Sequence, residues 1–189
     1  GDRVVLEDPH YRGARQIFAS YGARVLGVRV DAEGLVPAAL PKQASLAVVT
    51  PSHQFPTGAL LPLSRRVELL EWATAKRCWL IEDDYDGEFR SKTLFPALRL
   101  GYMVLPESVG RAFRAAKWLE DRGSNTLEQA ALAHFMASGG FERHLRRAAQ
   151  SLRARRNAML GGLRKHAAQV FEVVDSNAGM HLTAWLRSG

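Results

Sequence analysis

One lysine of this chain lies close in sequence to acidic, phenolic and guanidinium groups. Lys92 follows Ser91, the acidic run from Glu82 to Asp86 lies just upstream, and Arg99 lies seven residues downstream. A lysine amine forms a Schiff base with an aldehyde, an aspartate can hold a protonated pyridine nitrogen, and an arginine can bind a phosphate. Pyridoxal 5'-phosphate requires this set of groups, so the segment predicts a site for that cofactor.

Each of these residues also has a plainer structural interpretation. Lys92 alone would be a surface lysine, but its neighbours favour a catalytic role in binding the cofactor aldehyde. Asp83 is predicted to hold the pyridine nitrogen, although acids at a strand end are often a solvated turn. Tyr85 lies on the same side of an extended segment and could hydrogen-bond to the cofactor's phenolic oxygen. Arg99 is predicted to bind the phosphate or else to form an ordinary ion pair, and Ser91 is a phosphate donor or a turn residue.

Five sequence blocks follow one another along almost the whole chain. They are Glu7 to Tyr11, Thr50 to Gly58, the acidic stretch through Phe89, the Lys92 segment through Pro106, and Thr126 to Leu132. Their types and order resemble the aminotransferase-like domain of the MocR-type transcription regulators of the GntR superfamily. Those domains are a branch of the fold type I pyridoxal phosphate proteins.

The resemblance implies further site residues. Tyr11 matches a position where the family places an aromatic ring against the cofactor face, and such stacking suits a tyrosine. The alternative is an aromatic residue packed at a strand end. The wider superfamily has Asn-Pro-Thr-Gly where this chain has the residues from Phe55 to Gly58, so the asparagine amide is absent here. Another residue, for which His53 is a candidate, must then supply the hydrogen bond to the cofactor oxygen, or Tyr85 acts alone.

The resemblance implies two functions that share these cofactor residues. In the first, the domain senses a small amine or amino-acid effector that displaces Lys92 from an internal aldimine, and a vitamin B6 vitamer is the alternative effector. A homodimer would then alter DNA binding by a winged-helix domain outside this chain. In the second, the chain is an active aminotransferase that uses Lys92 as acid and base. The residue types in the His53 loop and in the acidic block are like those of the MocR-type regulators, which favours the sensor. A third possibility is a degenerate interaction module without an intact pocket.

The sequence also departs from the family at one point. Arg90 is followed at once by Ser91, where the family has a longer segment that includes a strand. We predict a gap here, which is either a deletion or an omitted stretch, and the lack of turn residues favours omission. The family's phosphate loop and its carboxylate-binding arginine are expected to lie outside the sequence.

The elements that must position these residues follow from the apolar pattern. Strands are predicted around residues 4–6, 25–30, 46–50 and 79–81, with helices at 13–20 and 64–76 between them. This alternation predicts a three-layer α/β fold, a mostly parallel sheet with helices on both faces, whose ligands bind beyond the carboxyl ends of the strands. Helices follow Pro106, with breaks at Gly139-Gly140 and Gly161-Gly162, and strands near 170–174 and 180–186 indicate part of a smaller α/β domain. The predicted domains are 1–140 and 141–189.

Composition and charge narrow the classes of function. The 189 residues are 47% hydrophobic, which is enough for a sizeable core. We expect a cytoplasmic protein, since no apolar run could span a bilayer and no signal peptide pattern begins the chain.

The segment 141–166 contains eight Lys or Arg residues and one Glu. This charge predicts either a phosphate-binding helix or, as we favour, a solvated helix facing acids of a partner subunit. The single Cys78 predicts a buried strand residue and excludes a disulfide framework, and we predict no metal site.

Overall fold

A computed structural model describes residues 1–84, 100–122, 125–174 and 182–187 of the chain. The chain divides into two compact units, one formed by Gly1–Arg90 with Leu152–Gly189 and the other by Ser91–Ser151. The division predicted between residues 140 and 141 stays a prediction. None of the described helices is long and apolar enough to cross a membrane.

A five-stranded sheet forms the centre of the first unit. Its strands are β1 (Arg3–Asp8), β2 (Arg24–Asp31), β3 (Gly34–Leu35), β4 (Leu46–Val49) and β5 (Trp79–Glu82). The order across the sheet is β3-β2-β1-β4-β5, and every neighbouring pair is parallel except β2 with β3. The four longer strands are those that the apolar runs predict. The two-residue β3 was not predicted.

The central strand β1 has the apolar run expected of a strand that is covered on both faces. Val5 pairs with Leu26 of β2 on one side and with Ala47 of β4 on the other. Val5 and Leu6 are fully buried although successive side chains of a strand point to opposite faces. Both faces of the sheet are therefore packed, as is usual for parallel sheets.

Two helices supply the packing. On one face, Phe18 of α1 (Arg12–Ser20) packs against the cluster that contains Leu6. On the other face, Leu69 of α2 (Leu63–Lys76) packs into the cluster that contains Val5. Burying a leucine side chain such as Leu69 is worth about 2 kcal/mol. The mostly parallel sheet, with α1 on one face and α2 on the other, confirms the predicted α/β fold with helices on both faces.

Three helices follow along the chain. They are α3 (Glu107–Asp121), α4 (Thr126–Ala137) and α5 (Gly140–His166). Gly139 has a φ of +68° and separates α4 from α5, at the break that was predicted. The predicted interruption at Gly161-Gly162 is wrong, because α5 continues through both glycines. The buried Leu160 next to them offsets their low helix propensity.

The remaining described elements correct two further expectations. An antiparallel pair, β6 (Phe171–Val173) and β7 (Ala184–Leu186), lies within the predicted C-terminal strand regions. Helical spacing of the apolar residues around Trp118 favours a packed side chain, but 65% of this residue of α3 is exposed. Cys78 lies in the turn before β5 rather than in a strand, where it is half-buried and packs at the edge of a core cluster. Desolvation there raises the pKa of its thiol.

Arg65 joins the start of α2 to the turn between β2 and β3. Its guanidinium donates hydrogen bonds to both carboxylate oxygens of Asp31 at 2.7 and 2.9 Å, and lies 3.1 Å from a carboxylate oxygen of Glu33. It also donates to the backbone carbonyls of Gly34 and Leu35 at 3.3 and 3.2 Å. The hydrogen bonds from Arg65 are the main reason that the pKa of Asp31 is lowered.

We expect Arg65→Met to lower the free energy of unfolding by about 1–2 kcal/mol, because two carbonyls lose a donor as well as the ion pair. Asp31→Asn should cost less than about 1 kcal/mol, since Asp31 is half exposed and solvent screens the pair. Because the pKa of Asp31 is lowered in the folded state, its contribution is present above the ordinary value of 3.8 and is lost as the pH falls through the folded-state pKa. Urea unfolding at neutral and acid pH measures both effects.

The matched control for the Arg65 and Asp31 variants is Glu68→Gln. It removes a carboxylate of α2 whose charge acts on Arg65 only at a distance. It should stay within about 0.5 kcal/mol of the wild type. An Asp31→Asn difference that persists unchanged at acid pH would contradict the assignment.

Candidate functional site

The carboxyl ends of three parallel strands lie side by side at one edge of the sheet. β4 lies between β1 and β5, and the backbone N–H of Asp83 donates to the carbonyl of Val49 at 2.9 Å. The residues at and just beyond these strand ends are therefore neighbours, namely 7–11 for β1, 50–58 for β4 and 82–84 for β5. Ligands of open α/β sheets bind at this edge.

A buried carboxylate links the first two of these segments. Glu7, at the end of β1, is 1% exposed. Its Oε2 accepts hydrogen bonds from the backbone N–H of Thr50 at 3.3 Å, from the Thr50 hydroxyl, and from Nε2 of Gln54 at 3.3 Å. A buried carboxylate is costly unless hydrogen bonds compensate it, so these donors account for its presence.

Gln54 lies at the centre of the loop after β4 and is likewise 1% exposed. Its amide nitrogen donates to the carbonyls of Pro9 and Phe55 at 2.8 and 2.7 Å. Its amide oxygen accepts from the Thr57 backbone N–H at 3.1 Å and from the Thr57 hydroxyl at 2.6 Å. The loop is thus held by its own side chains and by the end of β1.

The sequence analysis missed both Glu7 and Gln54 as site-forming residues. The sequence contains one signal for Glu7. This acid ends the apolar run of β1 at a position where a strand covered on both faces would be expected to continue with apolar residues. Nothing in the local pattern indicates that its partners lie 43 and 47 residues away. His53, which was considered for the cofactor oxygen, is 5% exposed within the same loop.

Tyr11 presents an open aromatic ring at this edge. It is 60% exposed, so it is not the packed aromatic that was the alternative. Its ring meets that of Phe55 edge to face, with centroids 6.3 Å apart and planes at 77°. A Cβ atom at Gly13 would lie 2.4 Å from the ring atom Cε1 of Tyr11. The glycine therefore leaves the space in which the ring lies over the first turn of α1.

Asp83 follows β5 and is exposed to solvent on one side. Its pKa is nevertheless raised, chiefly because the surrounding protein desolvates the carboxylate, and further by the charges of Asp84 and Glu7. His10 acts in the opposite direction and lowers that pKa. The structure thus brings Tyr11 and Asp83, two of the predicted site residues, to the same sheet edge. The other predicted site residues lie outside the described residues: Tyr85, Ser91, Lys92 and Arg99.

Two contacts from outside the edge hold the loop after β4. Arg66 of α2 donates to the carbonyl of Pro51 at 2.9 Å. The Thr183 hydroxyl, just before β7, donates to the carbonyl of Pro56 at 2.6 Å. The loop is therefore connected both to α2 and to the C-terminal strand pair.

Solved structures with this fold define the class of protein. LysN, the α-aminoadipate aminotransferase of Thermus thermophilus, is 28% identical, superposes with a TM-score of 0.85, and is matched over 100% of this chain and 57% of its own. Kynurenine aminotransferase of Pyrococcus horikoshii gives a TM-score of 0.82 at 24% identity, over 95% of this chain and 53% of its own. The chain therefore has the aminotransferase fold.

The sequence relatives of the chain are transcriptional regulators. TauR, a transcriptional regulator of the helix-turn-helix type from Rhodobacter capsulatus, is 36% identical over 194 residues, which span 90% of this chain and 40% of TauR. MocR, a probable rhizopine catabolism regulatory protein of Rhizobium meliloti, is 32% identical over 210 residues, which span 97% of this chain and 42% of MocR. The chain is homologous to MocR-type regulators and corresponds to an aminotransferase-like domain of that type, so the predicted resemblance is confirmed.

The chain and these relatives differ in length. The chain spans about two fifths of the length of these relatives, and no protein-family model matches it. The alignment with MocR covers 210 residues although this chain has 189, so MocR contains residues inside the matched region that this chain lacks. The gap predicted between Arg90 and Ser91 falls outside the described residues and stays a prediction.

The buried carboxylate of Glu7 provides a test of how the loop is held. We expect Glu7→Met to lower the free energy of unfolding by about 2–3 kcal/mol, because the donors of Thr50 and Gln54 lose their common acceptor. Glu7→Gln should recover most of this loss, since an amide oxygen can take the place of Oε2. Chemical denaturation of the three proteins measures the series.

Glu82→Met is the matched control, because Glu82 ends the neighbouring strand β5 but is exposed. Its effect should stay within about 0.5 kcal/mol. Equal stability of Glu7→Met and Glu82→Met would show that Glu7 does not hold the loop.

Proposed function

We propose that this chain is the pyridoxal phosphate-binding, effector-sensing and dimerisation domain of a MocR-type transcriptional regulator. The observation that carries the proposal is that regulator homologues match nearly the whole chain. The sheet edge supports it, because it leaves the Tyr11 ring and the Asp83 carboxylate accessible together. Such a regulator would act in the cytoplasm, because there it has access to DNA. The DNA contact would belong to a winged-helix domain outside this chain.

The described residues fit the ring of the cofactor. An exposed tyrosine face suits a flat heterocycle. The Asp83 carboxylate, whose pKa is raised by desolvation, would be stabilised in its ionised form by a cationic ring nitrogen. Lys92 for the covalent bond, Arg99 and Ser91 for the phosphate and Tyr85 for the phenolic oxygen are proposed from the sequence.

Sensing would use competition for the cofactor. When bound, the cofactor supplies an aldehyde that reacts reversibly with amines. We propose that the amine of a small amine or amino-acid effector replaces the amine of Lys92. A vitamin B6 vitamer is the alternative effector. The release of that side chain would shift the equilibrium between two states of the domain. The loop after β4 offers a route for this change, because Thr183 joins it to the C-terminal strands.

An active aminotransferase is the second candidate function. The likeness to LysN, at 28% identity and over the whole chain, favours it. Both functions use the same cofactor residues, so the residues of the site do not separate them, and a fold alone does not define a function. Transfer of an amino group to a keto acid would separate them.

The absorbance spectrum of the intact protein with added pyridoxal phosphate tests the proposal. We expect a visible band that becomes fixed on borohydride reduction and is lost in Lys92→Ala. Lys76→Ala, which changes an exposed lysine at the end of α2, should keep the band. No band in the wild type would exclude both the sensor and the aminotransferase, leaving an interaction module. If the band is present, spectral response to amines without keto acid turnover supports the sensor, whereas turnover supports the enzyme.

Asp83→Asn tests the proposed pairing with the cofactor ring. We expect the dissociation constant for pyridoxal phosphate to rise about 10- to 100-fold, because a charge-assisted hydrogen bond becomes a neutral one. In the wild type, affinity should also fall as the pH drops through the raised pKa of Asp83, above its ordinary 3.8, since a protonated carboxyl cannot pair with a cation. The variant should lack that acid limb.

Asp84→Asn is the matched control for Asp83→Asn. Asp84 is the adjacent residue, and its charge raises the pKa of Asp83, so its removal should leave the affinity within about threefold of the wild type. Equal losses in the two variants would assign the effect to net charge rather than to a specific contact. Absorbance titrations at several pH values measure all three proteins.

A further inference from the structure

His10 is buried with unsatisfied hydrogen-bonding atoms. Its side chain is 4% exposed, and both ring nitrogens are without a hydrogen-bond partner in the part of the chain that the structure describes. Buried polar atoms are nearly always paired, because desolvation without a hydrogen bond is costly. An imidazole left in this state at the ligand-binding edge of the sheet requires an explanation.

The surroundings of His10 are acidic. Its Nδ1 lies 3.7 Å from Oε2 of Glu7, which is too long for a good hydrogen bond but close enough for charge interaction. The acidic residues at the ends of β1 and β5 are Glu7 and Asp8 in β1, Glu82 at the end of β5, and Asp83 and Asp84 directly after it, and His53 follows β4. Desolvation, together with the charges of Asp84 and Glu7, raises the pKa of Asp83, and His10 opposes that shift.

The two ring nitrogens of a histidine can serve different partners. Nδ1 faces the Glu7 carboxylate, which the loop after β4 holds in place through Thr50 and Gln54. Nε2 has no partner. A protonated ring could therefore pair with the fixed carboxylate at one nitrogen and with a second carboxylate at the other.

We propose that His10 is a positioning residue for Asp83, interacting in its protonated form with Glu7 through Nδ1 and with Asp83 through Nε2. It would hold Asp83 ionised and oriented toward the ring nitrogen of the cofactor. This last step rests on the proposed function, whereas the link between His10 and Asp83 does not. The loop after β4 would then act on the cofactor through Glu7, His10 and Asp83 in series.

The first test needs no cofactor. The titration of the Asp83 carboxyl carbon is followed by NMR in the intact protein and in His10→Gln, with Asp83→Asn used to assign the signal. We expect the pKa of Asp83 to move higher in His10→Gln, because a neutral amide no longer opposes the neighbouring carboxylates. An unchanged Asp83 pKa would overturn the proposal, as a merely space-filling role of His10 predicts. If His10→Gln does not fold, His10→Asn serves in its place.

The second test measures pyridoxal phosphate affinity by absorbance. We expect the dissociation constant to rise about tenfold in His10→Gln, since Asp83 loses a charge-assisted partner. In Asp83→Asn the further change His10→Gln should have little effect, because the two residues act in series. His166→Gln, at the exposed end of α5, is the control and should match the wild type. Additive losses in the double variant would overturn the proposal.

The two tests separate the failure of this inference from that of the proposed function. If the Asp83 pKa responds to His10 but the wild type does not bind pyridoxal phosphate, the proposed function fails and the link between His10 and Asp83 stands. If the wild type binds the cofactor but the Asp83 pKa ignores His10, only this inference fails.

Discussion

The hydrogen bonds to the buried Glu7 carboxylate are the interaction on which the candidate site depends. An ionised group that is 1% exposed loses nearly all of its hydration, and the resulting cost is several kcal/mol unless donors replace the water. Thr50 and Gln54 supply those donors from the loop after β4. Because the carboxylate cannot leave and its donors cannot move without exposing it, the ends of β1 and β4 are fixed relative to each other. Tyr11, His10 and Asp83 are arranged around this fixed pair.

The sequence could predict the parts of this arrangement that depend on local pattern. Apolar runs indicate β1, β2, β4 and β5, and the spacing of apolar residues indicates α1 and α2, because periodicity follows directly from which faces are covered. Tyr11 and Asp83 could be placed beyond strand ends for the same reason. Two-residue β3 leaves no pattern to recognise. The expected break at Gly161-Gly162 followed from helix propensity, which packing around the buried Leu160 overrides.

What the sequence could not predict is the set of contacts between distant segments. Gln54 hydrogen-bonds to Glu7 across 47 residues, and nothing in the composition of either segment identifies the other as its partner. The buried ring of His10 is similar, since its neighbours in sequence do not indicate that both of its nitrogens lack a hydrogen-bond partner among the described residues. Similarity to regulators and aminotransferases narrows the range of candidate functions, but it does not identify these contacts. Regulators and aminotransferases share this fold, so their difference must lie in how particular side chains respond to a ligand.

The hydrogen bond from Thr183 to the carbonyl of Pro56 spans 127 residues of sequence. During synthesis the ribosome releases the loop long before it adds Thr183, so the nascent loop reaches its final set of hydrogen bonds only when the C-terminal strands have emerged. A nascent molecule that has not yet reached that residue lacks the Thr183 donor, so water must satisfy the Pro56 carbonyl. The last side-chain contact described for this loop therefore forms late in synthesis, after the sheet strands β1 to β5 have already been made.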